Sequence, residues 1–202
     1  KYVVKDIFEL AGDIKDHRAH SYGKKLDFIH NLETFTEKSR PLAEYILDWA
    51  EENRKYYMQK VYYRNFGRGS YMEKCKEISM DGYELERFFQ VYPEDRIIVQ
   101  EKGTEENWQI IRQEPGMKLN LTGKDGGLEI KLEIGQCFTG KNQRISFQNG
   151  KIFLIPRERD TPLEGLLECL EEKRQNTLFI QEKDLPVFCS AFLPAVSSYA
   201  KI

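Results

Sequence analysis

The apolar positions change period along the chain, and those changes divide it. Val4, Ile7, Phe8, Ala11 and Ile14 recur at helical spacing and predict an amphipathic helix over 4–14. A polar turn around Ser21-Tyr22-Gly23 leads into Leu26-Asp27-Phe28-Ile29, read as a short strand. The clearest helix follows over 36–58, its stripe running through Leu42, Ile46, Trp49 and Ala50. Pro41 is compatible with it because a proline in the first turn removes no needed donor. Asp81 opens another helix, with Glu84 three residues on as a capping box. Leu85, Phe88, Phe89 and Tyr92 follow on one side of it, and Pro93 closes it.

From about 96 to 155 the period becomes 2. Met117, Leu119 and Leu121 alternate with polar residues, as do Leu128, Ile130, Leu132 and Ile134, and the glycine-rich stretch 123–127 joins the two strands. Asn149-Gly150 between two apolar runs is a strong hairpin signal. Helical spacing then returns. Thr161, Pro162 and Glu164 form an N-terminal cap, followed by a stripe of Leu163, Leu166, Leu167 and Leu170. Thr177-Leu178-Phe179-Ile180 reads as a last strand, and Asp184 as the cap of a final helix with Val187, Phe188, Ala191 and Phe192 inward. The expected fold class is α+β: an antiparallel β-meander over about 96–155, flanked by a helical part at 1–95 and another at 156–202, all in one domain spanning 1–202.

Composition narrows the function classes. The 202 residues include 40% hydrophobic and 12% aromatic side chains, enough for a substantial core. A net charge of −2 provides no global attraction to nucleic acid or an acidic membrane. No apolar run approaches the roughly 20 residues of a membrane helix. The start, Lys1-Tyr2-Val3-Val4, has neither an initiator Met nor a signal segment, so the chain reads as a piece cut from a larger intracellular protein. Cys75, Cys137, Cys169 and Cys189 are scattered without a CxxC pair, which argues for reduced thiols, and Cys169 and Cys189 sit in apolar sequence as small core residues. The sequon Asn120-Leu121-Thr122 lies in a strand-like stretch and changes nothing.

Gly135 to Asn142 fits GxxxxGK, the phosphate-cradling loop, but Asn142 replaces the hydroxyl residue. A hairpin follows where a helix N-terminus should receive the phosphate, so the motif reads as a β-turn. His17 and His20 are three apart at a possible helix end, with Asp13 and Asp16 nearby. They read as surface polar residues, and no metal site is expected. No GxSxG elbow exists, and nothing in the spacing brings a cysteine beside a histidine. No catalytic residue is assigned.

One segment departs from the rest. Between Arg54 and Lys76 lie seven Lys and Arg residues against the single acid Glu73, a local charge of +6 in a chain otherwise at −8. Tyrosines are interleaved among them. Cations beside stacking rings suit a nucleic-acid backbone and its bases. The candidate nucleic-acid-binding residues are Arg64, Arg68, Lys74 and Lys76 for phosphates and Tyr62, Tyr63 and Tyr71 for stacking. The competing reading is a solvated loop after the long helix, with tyrosines lying over the core.

Several stretches carry a family resemblance. Asp6-Ile7-Phe8-Glu9-Leu10, Tyr22 through His30, Phe35 through Arg40, Glu84 through Phe89, Leu185 through Cys189 and Phe192-Leu193-Pro194 follow one another in an order that resembles the helicase-associated domain of bacterial SWI/SNF-type (Snf-two) proteins. The resemblance spans nearly the whole chain but rests on apolar and turn patterns. It implies a non-catalytic accessory domain of an ATP-dependent DNA translocase, cytoplasmic and nucleoid-associated, that docks on the ATPase motor of the same chain or assists in gripping double-stranded DNA. It implies no cofactor in this domain, with ATP and Mg²⁺ belonging to the motor. Two alternatives stay open: a pure protein–protein interaction module, and a small hydrolase whose site assembles from distant residues.

Overall fold

The computed structural model describes residues 4–21, 27–64, 74–101, 103–112, 117–157, 161–172 and 176–197. The side chains of residues 60–64, 162–163 and 171–172 are outside that description. The chain divides into two compact units: Lys1–Met80 with Arg87–Pro93, and Asp81–Glu86 with Glu94–Ile202.

In the first unit, α1 (Ile7–Lys15) begins at Asp6, whose carboxylate accepts from the backbone of Phe8 and Glu9. Its far end closes in a Schellman turn. Arg18 N–H bonds the carbonyl of Asp13, His17 N–H faces that of Ile14, and His17 takes the left-handed conformation (φ 53°) usually given to glycine. That reversal feeds β1 (Ala19–Ser21), antiparallel to β2 (Asp27–Ile29). After a 3₁₀ turn at Leu32–Thr34, α2 (Arg40–Arg64) starts and ends later than the apolar stripe predicts. Ile7, Trp49, Ala50 and Cys75 form the core of this unit, with Phe8, Ile46 and Tyr57 packed against it. The Phe8 ring lies 4.6 Å from Tyr57 and 5.9 Å from Trp49.

The next helix, α3 (Gly82–Val91), has the expected cap, Asp81 Oδ1 accepting from Glu84 N–H at 2.9 Å. Its later residues belong to the first unit, where Arg87 reaches Glu52 at 2.8 Å and lies over the Tyr45 ring.

The second unit contains two sheets. β5 (Lys118–Lys124) and β6 (Gly127–Glu133) form the expected hairpin, and β10 (Thr177–Gln181) adds to it antiparallel in the order β10-β6-β5. β3 (Arg96–Glu101), β4 (Thr104–Ile111), β7 (Gln136–Thr139), β8 (Gln143–Gln148) and β9 (Lys151–Pro156) form a second sheet in the order β3-β4-β9-β8-β7. The fold is α+β, as the periodicity predicts. The strand run is shared between two sheets, and one pairing, β4 with β9, is parallel. The β8–β9 turn is made by Asn149 (φ 49°) and Gly150 (φ 74°), the two positive angles a type I′ hairpin needs.

Met117, Leu119, Ile130 and Leu132 of the three-stranded sheet are covered by Leu166, Leu167 and Leu170 of α4 (Pro162–Glu172) and by Phe188 and Val196. The last two belong to a helical segment, 185–197, in which a π-helical turn, Phe188–Phe192, separates α5 (Leu185–Val187) from α6 (Leu193–Ser197). Here the expectation needs correction. Phe188 is buried and Phe192 packs against the same core, as expected, but Val187 is 69% exposed, Ala191 faces out, and the buried residue further on is Val196. The wider π turn shifts the phase that a 3.6-residue period assigns. Asp184 precedes α5 but makes no side-chain cap, and Cys189 is exposed rather than in the core.

Candidate functional site

Of the residues assigned to nucleic acid, Tyr62, Tyr63 and Arg64 are in the last turn of α2 with side chains outside the described residues. Arg68 and Tyr71 lie outside them altogether. Lys74 and Lys76 are described, and both are exposed. They flank Cys75, which is buried and whose carbonyl accepts from Ile7 N–H at 2.8 Å. Cys75 is anchored in the core while the lysines on either side of it face solvent. Burial pushes the Cys75 thiol pKa up, which favours the uncharged thiol, and the side chain packs in the core with Ile7, Trp49 and Ala50.

The same segment begins on α2, where Arg54, Lys55 and Tyr56 are exposed, Tyr56 to 68%. Tyr57, one residue on, packs against Phe8. The two readings of the tyrosines therefore divide by residue: Tyr57 lies over the core, and Tyr56 is offered to solvent.

The GxxxxGK stretch is a strand, a turn and a strand, β7 to β8. Gly140 N–H bonds the carbonyl of Gln143 at 2.8 Å. Asn142 directs its backbone and side-chain N–H groups to the carboxylate of Glu86 at 3.0–3.2 Å. The Gly140 N–H thus serves a backbone carbonyl and the Asn142 donors a protein carboxylate, an arrangement that opposes phosphate binding.

Two buried polar clusters lie elsewhere. In the second unit Arg144, 1% exposed, donates to Glu164 at 2.9 and 3.1 Å. Arg157 also donates to Glu164 and reaches Glu168 at 2.9 Å. Thr161 caps α4 as expected, its Oγ1 accepting from Glu164 N–H at 3.2 Å, but the Glu164 carboxylate is engaged by the two arginines. Burial alone would raise the Glu164 pKa. The hydrogen bonds from Arg144 and Arg157 outweigh it and hold the group below the usual carboxylate range.

In the first unit the fold gathers Asp13, His20 and His30. Asp13 is in the last turn of α1 and 4% exposed, His20 is the middle residue of β1, and His30, directly after β2, is 0% exposed. His20 Nε2 lies 2.7 Å from Asp13 Oδ2, and the two imidazole rings meet edge to face at 4.8 Å. Each residue offers one ligand atom, and the three atoms lie within 4.8 Å of one another. Burial, then the neighbouring His20, holds the His30 pKa below the usual imidazole value and so favours the neutral ring.

The pairing weighed from the sequence, His17 with His20, is not what forms. His17 is the exposed turn residue of the Schellman cap, and His20 turns inward to meet His30, whose partnership the spacing did not signal. The missed signal is the hairpin itself: Arg18 and His30 are cross-strand neighbours, joined by His30 N–H to Arg18 O at 3.0 Å. Among the described residues this cluster includes no cysteine, and no helix is long and apolar enough to cross a membrane.

Comparison with known families adds one match. The model of the family described as bacterial SNF2 helicase associated matches residues 76–202, well over half of the chain. No curated protein and no solved structure matches. The matched span contains the stretches Glu84–Phe89 and Leu185–Pro194 that carry the resemblance, while those before residue 76 fall outside it.

Proposed function

The chain belongs to the bacterial SNF2 helicase associated family, and from that premise we propose that it is a non-catalytic accessory module that helps an SNF2-type ATP-dependent translocase grip duplex DNA. The observation carrying this is the +6 charge of segment 54–76 in an otherwise acidic chain. Its described cations Arg54, Lys55, Lys74 and Lys76 all face solvent, together with Tyr56. Arg64, Arg68, Lys74 and Lys76 neutralise phosphates in this reading, and Tyr62, Tyr63 and Tyr71 stack or pack. ATP and Mg²⁺ act in the motor, and this module supplies affinity. The setting is the bacterial cytoplasm, at the nucleoid.

A specific observation favours docking as a second role. The family match covers 76–202, whose 17 Lys and Arg stand against 21 Asp and Glu, a net −4 unsuited to DNA. That part exposes Ile98 on the edge strand β3, Phe179 on the edge strand β10, and Val187. Apolar groups of this kind suit seating against the motor of the same chain or another protein.

Fluorescence anisotropy with labelled duplex and single-stranded DNA across a salt titration tests the first role. Micromolar affinity falling steeply with salt, and abolished by Arg64→Glu with Arg68→Glu, is expected. Charge reversal at Lys74 and Lys76 is expected to flatten the salt slope by about 1 for each lost phosphate contact. An affinity independent of salt, or none at low salt, rejects DNA gripping and leaves motor docking.

A further inference from the structure

We propose that Asp13, His20 and His30 form a binding site for a divalent transition metal, zinc by its donor set, fastening the end of α1 to the β1–β2 hairpin. It is independent of the DNA and docking roles and departs from the expectation that the chain has no metal site. Two imidazole nitrogens and one carboxylate oxygen are the donors that zinc accepts in three-ligand sites, with the fourth position left to water or an outside ligand. At zinc–nitrogen and zinc–oxygen distances of about 2.0–2.2 Å, tetrahedral ligand atoms stand about 3.3 Å apart. The three atoms here lie within 4.8 Å of one another, with one pair at 2.7 Å, so small side-chain rotations bring all three onto one ion.

The supports of each ligand are local. Asp13 is fixed by the helix, and its other oxygen, Oδ1, lies 3.7 Å from Arg18, which orients the carboxylate. His20 is fixed by the register His20↔Phe28. His30 is held by its backbone bond to Arg18 and by the edge-to-face Phe28 ring at 5.2 Å. The site draws its three ligands from the last turn of α1, from β1 and from the residue directly after β2, and the exposed edge at His20 (33% side-chain exposure) gives the ion its route in.

The purified chain, stripped with a chelator, would be titrated with Zn²⁺ against a fluorescent zinc indicator and followed in thermal unfolding with and without Zn²⁺. One equivalent should bind, and the midpoint should rise by several degrees at saturating Zn²⁺. Co²⁺ in its place should give the visible bands of a four-coordinate ion without a thiolate charge-transfer band. His20→Asn, a partly exposed position whose circular dichroism should stay that of the parent, should weaken Zn²⁺ by at least about a hundredfold, beyond the cost of losing an outer hydrogen-bond partner. Cys189→Ser should leave binding unchanged. No binding at one equivalent, a thiolate band with Co²⁺, or undiminished affinity in His20→Asn overturns the site.

Discussion

In the second unit the carboxylate of Glu164 sits between two guanidinium groups; in the first, the carboxylate of Asp13 faces imidazoles, one of them shifted toward its neutral form by burial. The carboxylates at the centre of both clusters are buried, yet they differ in what they ask of their surroundings. Arg144 and Glu164 each carry a full charge that the other compensates, with Arg157, Thr139 and Glu168 taking up further bonds. Such a network is complete within the protein and acts as a brace between β8 and α4. The Asp13 cluster sets one carboxylate among imidazole nitrogens, donors that also suit an ion. Burial of polar groups is therefore no mark of a site by itself; the chemistry of the donors separates a brace from a receptacle.

The comparison breaks most visibly at Glu164. Glu164→Gln should destabilise the second unit by about 3–5 kcal/mol in urea denaturation, because it strands the charge of Arg144. Replacing the pair together, Arg144→Met with Glu164→Leu, should recover most of that loss, since the brace consists of mutual compensation and not of net attraction. If the double variant is as unstable as the single, the network is doing something besides neutralising itself.

Acid probes the same contrast without mutation. The Glu164 pKa is depressed in the folded state, so its contribution is present above the ordinary value near 4.5 and lost as pH falls through the folded value. Midpoints of thermal unfolding between pH 7 and 3 should fall below pH 4.5 in the parent, and the fall should be smaller in Glu164→Gln. Asp13→Asn is expected to cost less, about 1–2 kcal/mol in the metal-free chain, because the amide oxygen still accepts a hydrogen bond from His20. With Zn²⁺ added the gap between parent and variant should widen. The smallest effect belongs to the turn that aims the cluster. His17→Gly should stabilise the chain by roughly 1 kcal/mol, relieving a left-handed side-chain residue while keeping the reversal; calorimetry resolves a change of that size.

Local chemistry was readable ahead of the structure, and long-range partnership was not. Asp81 and Thr161 cap helices and Asn149-Gly150 turns a hairpin because each decision is settled within four residues. The sequence assigns the Glu164 carboxylate to its own cap, but it bonds Arg144, 20 positions earlier, since a buried guanidinium competes more strongly than a backbone N–H. The β1–β2 hairpin is only half legible: Phe28 and Ile29 read as strand, but Ala19-His20-Ser21 is too short and too polar to register as a period. That omission hid the meeting of His20 with His30. In the last helical segment the period places Phe188 and Phe192 inward correctly but not Val187 and Ala191, where a π turn at Phe188–Phe192 is an irregularity no fixed period anticipates.

The parallel register of β4 and β9 bears on the time course of folding. Ile110 and Ile152 are 42 positions apart, whereas the β5–β6 and β8–β9 hairpins close over two-residue turns. Loop closure over that distance is the costlier step, so the hairpins can form in microseconds while the five-stranded sheet waits for its central pairing. Ile152→Val should then speed unfolding far more than it slows folding if β4 and β9 join late, and stopped-flow chevrons would read the order directly.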